Sequence, residues 1–454
     1  MAEEDYDWGV YNFNWTLWED AEARLKGLVD DFLTENDRAG ELAGTIEWST
    51  GTRFVDWVDH MVLPEDLMDE FDLQVMGYEE DAGAGTMYGA RCFRNRASTL
   101  FPLLLRPGNL TELAIRVEEL DAFVHVHQRT AEPMGDPLGP YRWVDVVKEH
   151  DHLLTAVDRR GHAGFAIEEA HDVEEYALAL DAFRERRREF PSDEEGMVAT
   201  RELVEEQLDR LGVDRLADAW FKAEWEHWMA HNQAAQYQRS RHDQVGLGWA
   251  NRDHQAYRCS RELYTHYIGI QELLGMRRRE AYHAGAQAGW GAQVMEQVEL
   301  GFVVFCDVDL EPGEEDNDFA TEGLEGRDQL GTIGLWVGLH GECMLQAGIH
   351  HLALRVSFDR AIQDLESGGH VSMAPFSTFP YLQQCFTVAQ PWKLDEPRAR
   401  YLLGRGLIEQ EAFDTFGERG AVGSHVELIE RNSGFKGFNQ DSVSQIITET
   451  DPRR

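Results

Sequence analysis

Eighteen histidines are scattered through this 454-residue chain, and three short segments set histidine or carboxylate side chains into otherwise β-prone sequence. They are Asp253-His254-Gln255-Ala256-Tyr257-Arg258, Gly348-Ile349-His350-His351-Leu352-Ala353-Leu354-Arg355 and His425-Val426-Glu427-Leu428-Ile429-Glu430-Arg431-Asn432. Two neutral imidazoles and one carboxylate on one face of a divalent ion, with the other positions open, suit non-haem Fe(II) oxygen chemistry. Such a centre keeps net positive charge, which favours an anionic chelating substrate and leaves room for O2. His254 and His351 lie 97 residues apart, and 76 more lead to Glu427. One ligand per strand from facing units is therefore a geometry that a cupped sheet can satisfy. Taken singly, a strand histidine is more often structural or exposed. Alternation along GIHHLALRV lets only one of His350 and His351 face inward. His60, in the similar strand VDHMVLP, is compatible with a metal-free relic of a repeated plan.

The elements that must position these residues are legible as pattern. Residues 1–50 read as a helical lead-in, with helical spacing in TLWEDAEARLKGLVDDFLTEN. Residues 51–168 change to short strands with helices. RFVDWVDHMVLP, MYGARCFR and STLFPLLLR are strand-like, DLMDEFDLQVMGYEE is helical, and TELAIRVEELDAFVHVHQR runs from strand to helix. HLLTAVDRRGHAGFAIEE reads as a hairpin. Residues 169–245 are Glu-, Arg- and Ala-rich with helical periodicity, and Pro191-Ser192-Asp193-Glu194-Glu195 marks a helix N-terminus. The strand-helix pattern returns over 246–454. ANRDHQAYRC, VELGFVVFCDVDL, GIHHLALRV and HVELIERN read as strands, and ELYTHYIGIQELLGM and FDRAIQDLESGG as helices. GTIGLWVGLHG suits loop or strand. The expected fold is α+β, with paired β-α-β-β-β modules and a helical insertion between two diverged copies of one plan.

Composition narrows the function class. Acidic residues number 84 against 42 basic ones, a formal charge of -42. Distributed acid of this kind argues against nucleic acid or anionic membranes as partners. It resembles the surface of proteins from salt-accumulating microbes, where a Debye length of ~3 Å at ~1 M salt screens self-repulsion. No apolar run approaches the length of a membrane helix, and MAEEDYDWGV carries no secretory h-region. A cytoplasmic protein is expected, and a homo-oligomer is compatible with it. The five cysteines, Cys92, Cys259, Cys306, Cys343 and Cys385, form no CxxC pair and read as small buried residues.

GIHHLALRVSFDRAIQDLESGGHVSMAPFSTFPYL and HVELIERNSGFKGFNQDSVSQII resemble the C-terminal signatures of 4-hydroxyphenylpyruvate dioxygenases, in the vicinal-oxygen-chelate superfamily. In that family the metal histidine directly precedes the apolar-Ala-Leu run, and the metal glutamate precedes a hydrophobic pair. The resemblance therefore implies Fe(II) on His254, His351 and Glu427, with Glu430 facing outward and a closing helix at the C-terminus. LTELAIRVEELDAFVHVH and GPYRWVDVVKEHDHLLTAVDRRGHAGFAIEE resemble the family's metal-free first domain. Phe435 and Phe438 fall where the family packs rings on the substrate, and Gln346 is a candidate polar contact. The 169–245 insertion and FDTFGERGAVGSHVE depart from the family pattern. His254 and Arg258, followed by a helix and Gly275-Met276, are also similar to the bacterial 2-oxoadipate dioxygenase/decarboxylase family, whose arginine binds the distal carboxylate of a keto diacid. The implied reaction is oxidative decarboxylation and hydroxylation of a 2-oxo acid by O2. The substrate would be an aryl-pyruvate such as 4-hydroxyphenylpyruvate, or alternatively 2-oxoadipate. Extradiol ring cleavage, glyoxalase-type isomerisation and a metal-free binding protein are the other readings of the same fold.

Overall fold

The computed structural model describes residues 15–86, 89–128, 131–167, 171–283, 289–439 and 450–453. After the lead-in helices α1 (Glu19–Glu35) and α2 (Asp37–Thr50), a first βαβββ unit is built from β1 (Val58–Pro64), α3 (Glu70–Val75), β2 (Glu79–Glu80), β3 (Arg91–Arg94) and β4 (Leu103–Arg106). A second follows from β5 (Thr111–Arg116), α4 (Leu120–Val126), β6 (Tyr141–Glu149) and β7 (His152–Arg159). An antiparallel bridge from Met134 to Trp143 stands where this unit's remaining strand belongs. The strands run in the order β2-β3-β4-β1-β5-β7-β6, and the units meet where β1 pairs antiparallel with β5.

Four helices come next: α5 (Val173–Glu185), α6 (Asp193–Leu211), α7 (Val213–Ala230) and α8 (Gln233–Asp243). The second sheet repeats the plan of the first. One unit is β8 (Arg252–Arg258), α9 (Tyr264–Leu273), β9 (Arg277–His283), β10 (Trp290–Gln297) and β11 (Phe302–Asp309). Short α10 (Phe319–Glu322) and α11 (Thr332–His340) lead to β12 (His351–Arg355), α12 (Phe358–Ser367), β13 (Ser377–Phe379) and β14 (Leu382–Phe386). An excursion through β15 (Pro391–Trp392), α13 (Glu396–Gly404), α14 (Gln410–Arg419) and β16 (Ala421–Val422) precedes the last strand, β17 (His425–Arg431). The order is β13-β14-β17-β12-β8-β11-β10-β9, and the two units meet where β12 pairs antiparallel with β8. The fold is α+β with paired βαβββ modules.

Burial explains where the helices sit. Leu25, Phe32 and Ile46 of α1 and α2 pack with Leu113, Val146 and Leu154 of the first sheet. α6 starts where the sequence marks it, with Ser192 accepting a hydrogen bond from the Glu195 N–H at 3.2 Å. α7 carries Trp220, Trp225 and Trp228 into a core shared with Tyr257, Tyr267 and Val304 of the second sheet and α9. No helix among the described residues is long and apolar enough to cross a membrane.

Several expected elements differ. The hairpin is β6 with β7, paired from Tyr141–Arg159 to Glu149–His152, so it lies one strand earlier than HLLTAVDRRGHAGFAIEE suggested. β9 and β10 have no counterpart among the strands expected from the sequence pattern. RRREAYH is an edge strand with a polar outer face, which weakens its apolar alternation. GTIGLWVGLHG forms α11 and not a strand or loop. It is apolar on all sides because it is buried on nearly all sides, so periodicity gave no signal. The expected closing helix falls largely on 440–449, outside the described residues.

Candidate metal centre

Three adjacent strands, β17-β12-β8, each supply one buried side chain to a single point. Register puts His351 opposite Ala256 and Glu427 opposite Ala353. Alternation along β8 turns His254, Ala256 and Arg258 to one face. The result is a Glu427 Oε2 atom 3.0 Å from His254 Nε2 and 3.1 Å from His351 Nε2. The ligand-type atoms of the three residues all lie within 4.8 Å of one another, the only such group found among the described residues.

Further polar contacts fix these side chains. Asp253 Oδ1 lies 2.9 Å from His254 Nδ1, so the Nδ1–H donates to it and Nε2 is left as the ligand nitrogen. Arg431 grips Asp253 through two bonds of 2.8 and 2.9 Å, and Arg355 adds a third at 2.9 Å. Gln384 donates to Glu427 Oε1 at 2.7 Å, leaving Oε2 for the centre. Burial opposes charge on Asp253, but Arg431 and Arg355 outweigh it and hold the carboxyl well below its ordinary range. Burial likewise opposes charge on His254, yet Glu427 and Asp253 raise it to about 9. Burial also works against an ionised Glu427, but His254 and the two imidazole hydrogen bonds keep its carboxyl below the usual range. Burial lowers His351. The field that holds a proton on His254 would equally favour a divalent cation among the three donors. Two imidazole nitrogens and one carboxylate oxygen fit such an ion.

A cavity of ≈ 60 Å³ adjoins the three residues. Phe305, Phe376, Phe386 and Phe438 supply aromatic wall, and Arg258 and Asp307 supply charge. Arg258 is fully buried. Its Nη2 donates to Thr450 Oγ1 at 2.9 Å, while Nε and Nη1 have no partner among the described residues. Burial brings its guanidinium down to about 10. Asp307 is the cross-strand neighbour of Arg258 on β11. Burial pushes its carboxyl up to about 7, against the opposing pull of Arg258 and His254.

Of the residues singled out in the sequence, His254, His351, Glu427, Arg258 and Phe438 converge here. Phe438 meets the His254 ring edge-on at 4.9 Å. Gln346 and Phe435 do not line the cavity. Gln346 donates to Asp193 at 3.0 Å, because the turn at 343–347 packs against α6. Phe435 packs on Tyr381 at 4.7 Å on the far side of the turn. Glu430 points outward and accepts from the Phe358 N–H at 2.8 Å. His350 departs from the alternation argument. It lies just ahead of β12, so its ring also reaches the cavity, with Nε2 unpartnered among the described residues. Asp253, Arg431, Gln384 and Asp307 were not selected from the sequence. An acid beside His254 and an arginine closing HVELIER, both in strands that must be buried, were the available signal, since buried charges pair.

No family model matches the chain, and no curated protein matches it. Among solved structures, a protein described as a glyoxalase superfamily member from Ralstonia eutropha JMP134 aligns at 14% identity. It covers 57% of this chain and 96% of that one, with a TM-score of 0.35. A mutant 4-hydroxymandelate synthase from Streptomyces coelicolor aligns at 13% identity over 88% of this chain and 98% of that one, with a TM-score of 0.25. The Mn(II)-bound glyoxalase from Novosphingobium aromaticivorans aligns at 8% over 85% and 86%, with a TM-score of 0.19. These likenesses are too distant to carry function, and the architecture rests on the strand order itself.

Proposed function

We propose that the chain is an Fe(II)-dependent dioxygenase that oxidatively decarboxylates and hydroxylates a 2-oxo acid. The supporting observation is the convergence of His254, His351 and Glu427 from three neighbouring strands at the wall of a cavity that also holds a buried, incompletely partnered arginine. Bound Fe(II) would supply coordination of the keto acid and of O2. The chain's own residues orient and enclose. Asp253 fixes the His254 tautomer, and Gln384 fixes the Glu427 rotamer. The phenylalanine wall excludes water and strengthens every charge interaction inside.

Arg258 bears on the substrate. Two of its buried nitrogens lack partners among the described residues, and an anionic group on the substrate would satisfy them. His254 and Arg258 are four residues apart on one strand face, so their Cα atoms are separated by about 13 Å. A keto diacid such as 2-oxoadipate would place one end near the metal ligands and the other toward Arg258. The phenylalanine wall supports the alternative, an aryl-pyruvate such as 4-hydroxyphenylpyruvate. Oxygen uptake by Fe(II)-loaded protein, measured against a panel holding both, tests the reading. Uptake matched mole for mole by CO2 with one panel member is expected. Iron-loaded protein that consumes no O2 with any 2-oxo acid would overturn the proposal in favour of ring cleavage or isomerisation.

A further inference from the structure

A second small cavity, of ≈ 20 Å³, lies where the end of β5, the middle of α7 and the start of β8 meet. Its wall is highly charged. Most of that charge is paired: Arg159 with Asp59, Arg160 with Asp158, Lys222 with Glu119, and Arg239 with Glu118. Arg116 and Arg252 are different. Neither has a carboxylate within ion-pair distance among the described residues, in a chain with twice as many acidic as basic residues. Arg252 is held by other means. Its Nη1 donates to the Trp249 carbonyl at 2.8 Å, and its guanidinium lies 3.6 Å from the Trp225 ring centroid. Its Nε is buried without a partner among the described residues. Burial works against its charge, and among its charged neighbours Glu118, already paired with Arg239, attracts it while Arg116 repels it.

Two like charges half-buried at one small cavity repel each other, and an anion between them relieves that repulsion. The Trp225 face offsets only part of this. Asp218, also on the wall, accepts from the Tyr176 hydroxyl at 2.6 Å and has no cation within ion-pair distance among the described residues. It can balance one guanidinium at longer range, and one positive charge remains. The cavity has room for about one water-sized particle. The Glu118, Glu119 and Asp218 carboxylates around it would repel a multiply charged oxyanion. We propose that Arg116 and Arg252 bind a small monovalent anion of chloride's size at this junction, tying the first sheet to the start of the strand that carries His254.

The test uses the full chain. Crystals soaked in sodium bromide are examined for anomalous scattering, and melting is followed while chloride replaces gluconate at constant ionic strength. One bromide peak between the two guanidiniums is expected, with a saturable rise in melting temperature on the order of 2 °C. Arg116→Met should abolish the rise. Formate in place of chloride separates the two sources of such an anion: a rise with formate alone would mean a carboxylate occupies the same arginine pair. No bromide peak, together with melting curves indifferent to chloride and formate, would overturn the proposal whether or not the variant folds.

Discussion

The two sheets carry the same histidine framework, and among the described residues only the second completes the candidate metal-ligand set. In the second sheet Asp253 backs His254, and Arg431 grips Asp253 and donates from Nη1 to the Phe435 and Gly437 carbonyls at 3.2 and 2.7 Å. Phe438 covers both the His254 ring and, at 4.7 Å, the Arg431 guanidinium. In the first sheet Asp59 lies 2.7 Å from His60 Nδ1, and Arg159 grips Asp59 through two bonds of 2.7 Å. Arg159 Nη1 donates to the His162 and Gly164 carbonyls. Phe165 lies 4.7 Å from the His60 ring and 4.8 Å from the Arg159 guanidinium. Register then locates the difference. Glu112 stands opposite Val62 as His351 stands opposite Ala256, and Thr155 stands opposite Ala114 as Glu427 stands opposite Ala353. Thr155 donates to Glu112 at 3.1 Å in place of a ligand pair. The Asp-His-Arg-Phe set is thus a way to bury a histidine in a cupped sheet, and it persists without the other two ligands.

The largest expected effect breaks the comparison at the second sheet. Glu427→Ala should remove stoichiometric metal and with it turnover, while circular dichroism stays native. Thr155→Ala at the matching position should leave metal content unchanged. Full activity in Glu427→Ala would sink the site assignment. A more even effect is expected from the two arginines. Arg159→Met strands the buried Asp59 and should cost about 3–5 kcal/mol in denaturant unfolding, and Arg431→Met, which leaves Asp253 only its bond from Arg355, should cost somewhat less. Only Arg431→Met should also weaken metal binding, by roughly 10–100-fold, and equal losses of metal affinity would contradict the division of labour.

The comparison can also be sharpened by rebuilding. Glu112→His combined with Thr155→Glu supplies His60 with the two missing ligand types. A second equivalent of Co(II) or Zn(II) per chain, read by elemental analysis, is expected. A single equivalent would mean that the first sheet differs by more than these two residues. The smallest effect is on stability in acid. Burial holds His242 down to about 3 and His340 down to about 4. Both stay neutral in the fold, while the unfolded chain takes up protons below about 6.5. Their contribution is therefore fully present above that pH and is lost as pH falls toward 3–4. Denaturation midpoints should fall between pH 7.5 and 5, whereas a flat profile would deny the burial of these rings.

The short strands around His254, His351 and Glu427 were legible from their β-prone sequence, but the choice of these three residues as ligands came from the resemblance of GIHHLALRV and HVELIERN to a known family's signatures. The Ser192 cap and the helical spacing of 169–245 were legible for the same reason: a local hydrogen bond and a 3.6-residue period need no distant partner. The α+β class followed from the order of such segments. Other features depended on neighbours far along the chain. α11 is apolar all round, and β9 is a polar edge, so neither carries a period that names its state. Phe435 and Phe438 are three residues apart in one turn, and only the path of that turn puts Phe438 on His254 and Phe435 on Tyr381. The Asp253–Arg431 clamp joins residues 178 positions apart, and Arg258 meets Asp307 only through the pairing of β8 with β11. The sequence determined which residues could hold a metal and what local structure each would adopt. The tertiary structure decided which of them meet and which charges are buried, because strand register and desolvation are properties of the assembled sheet.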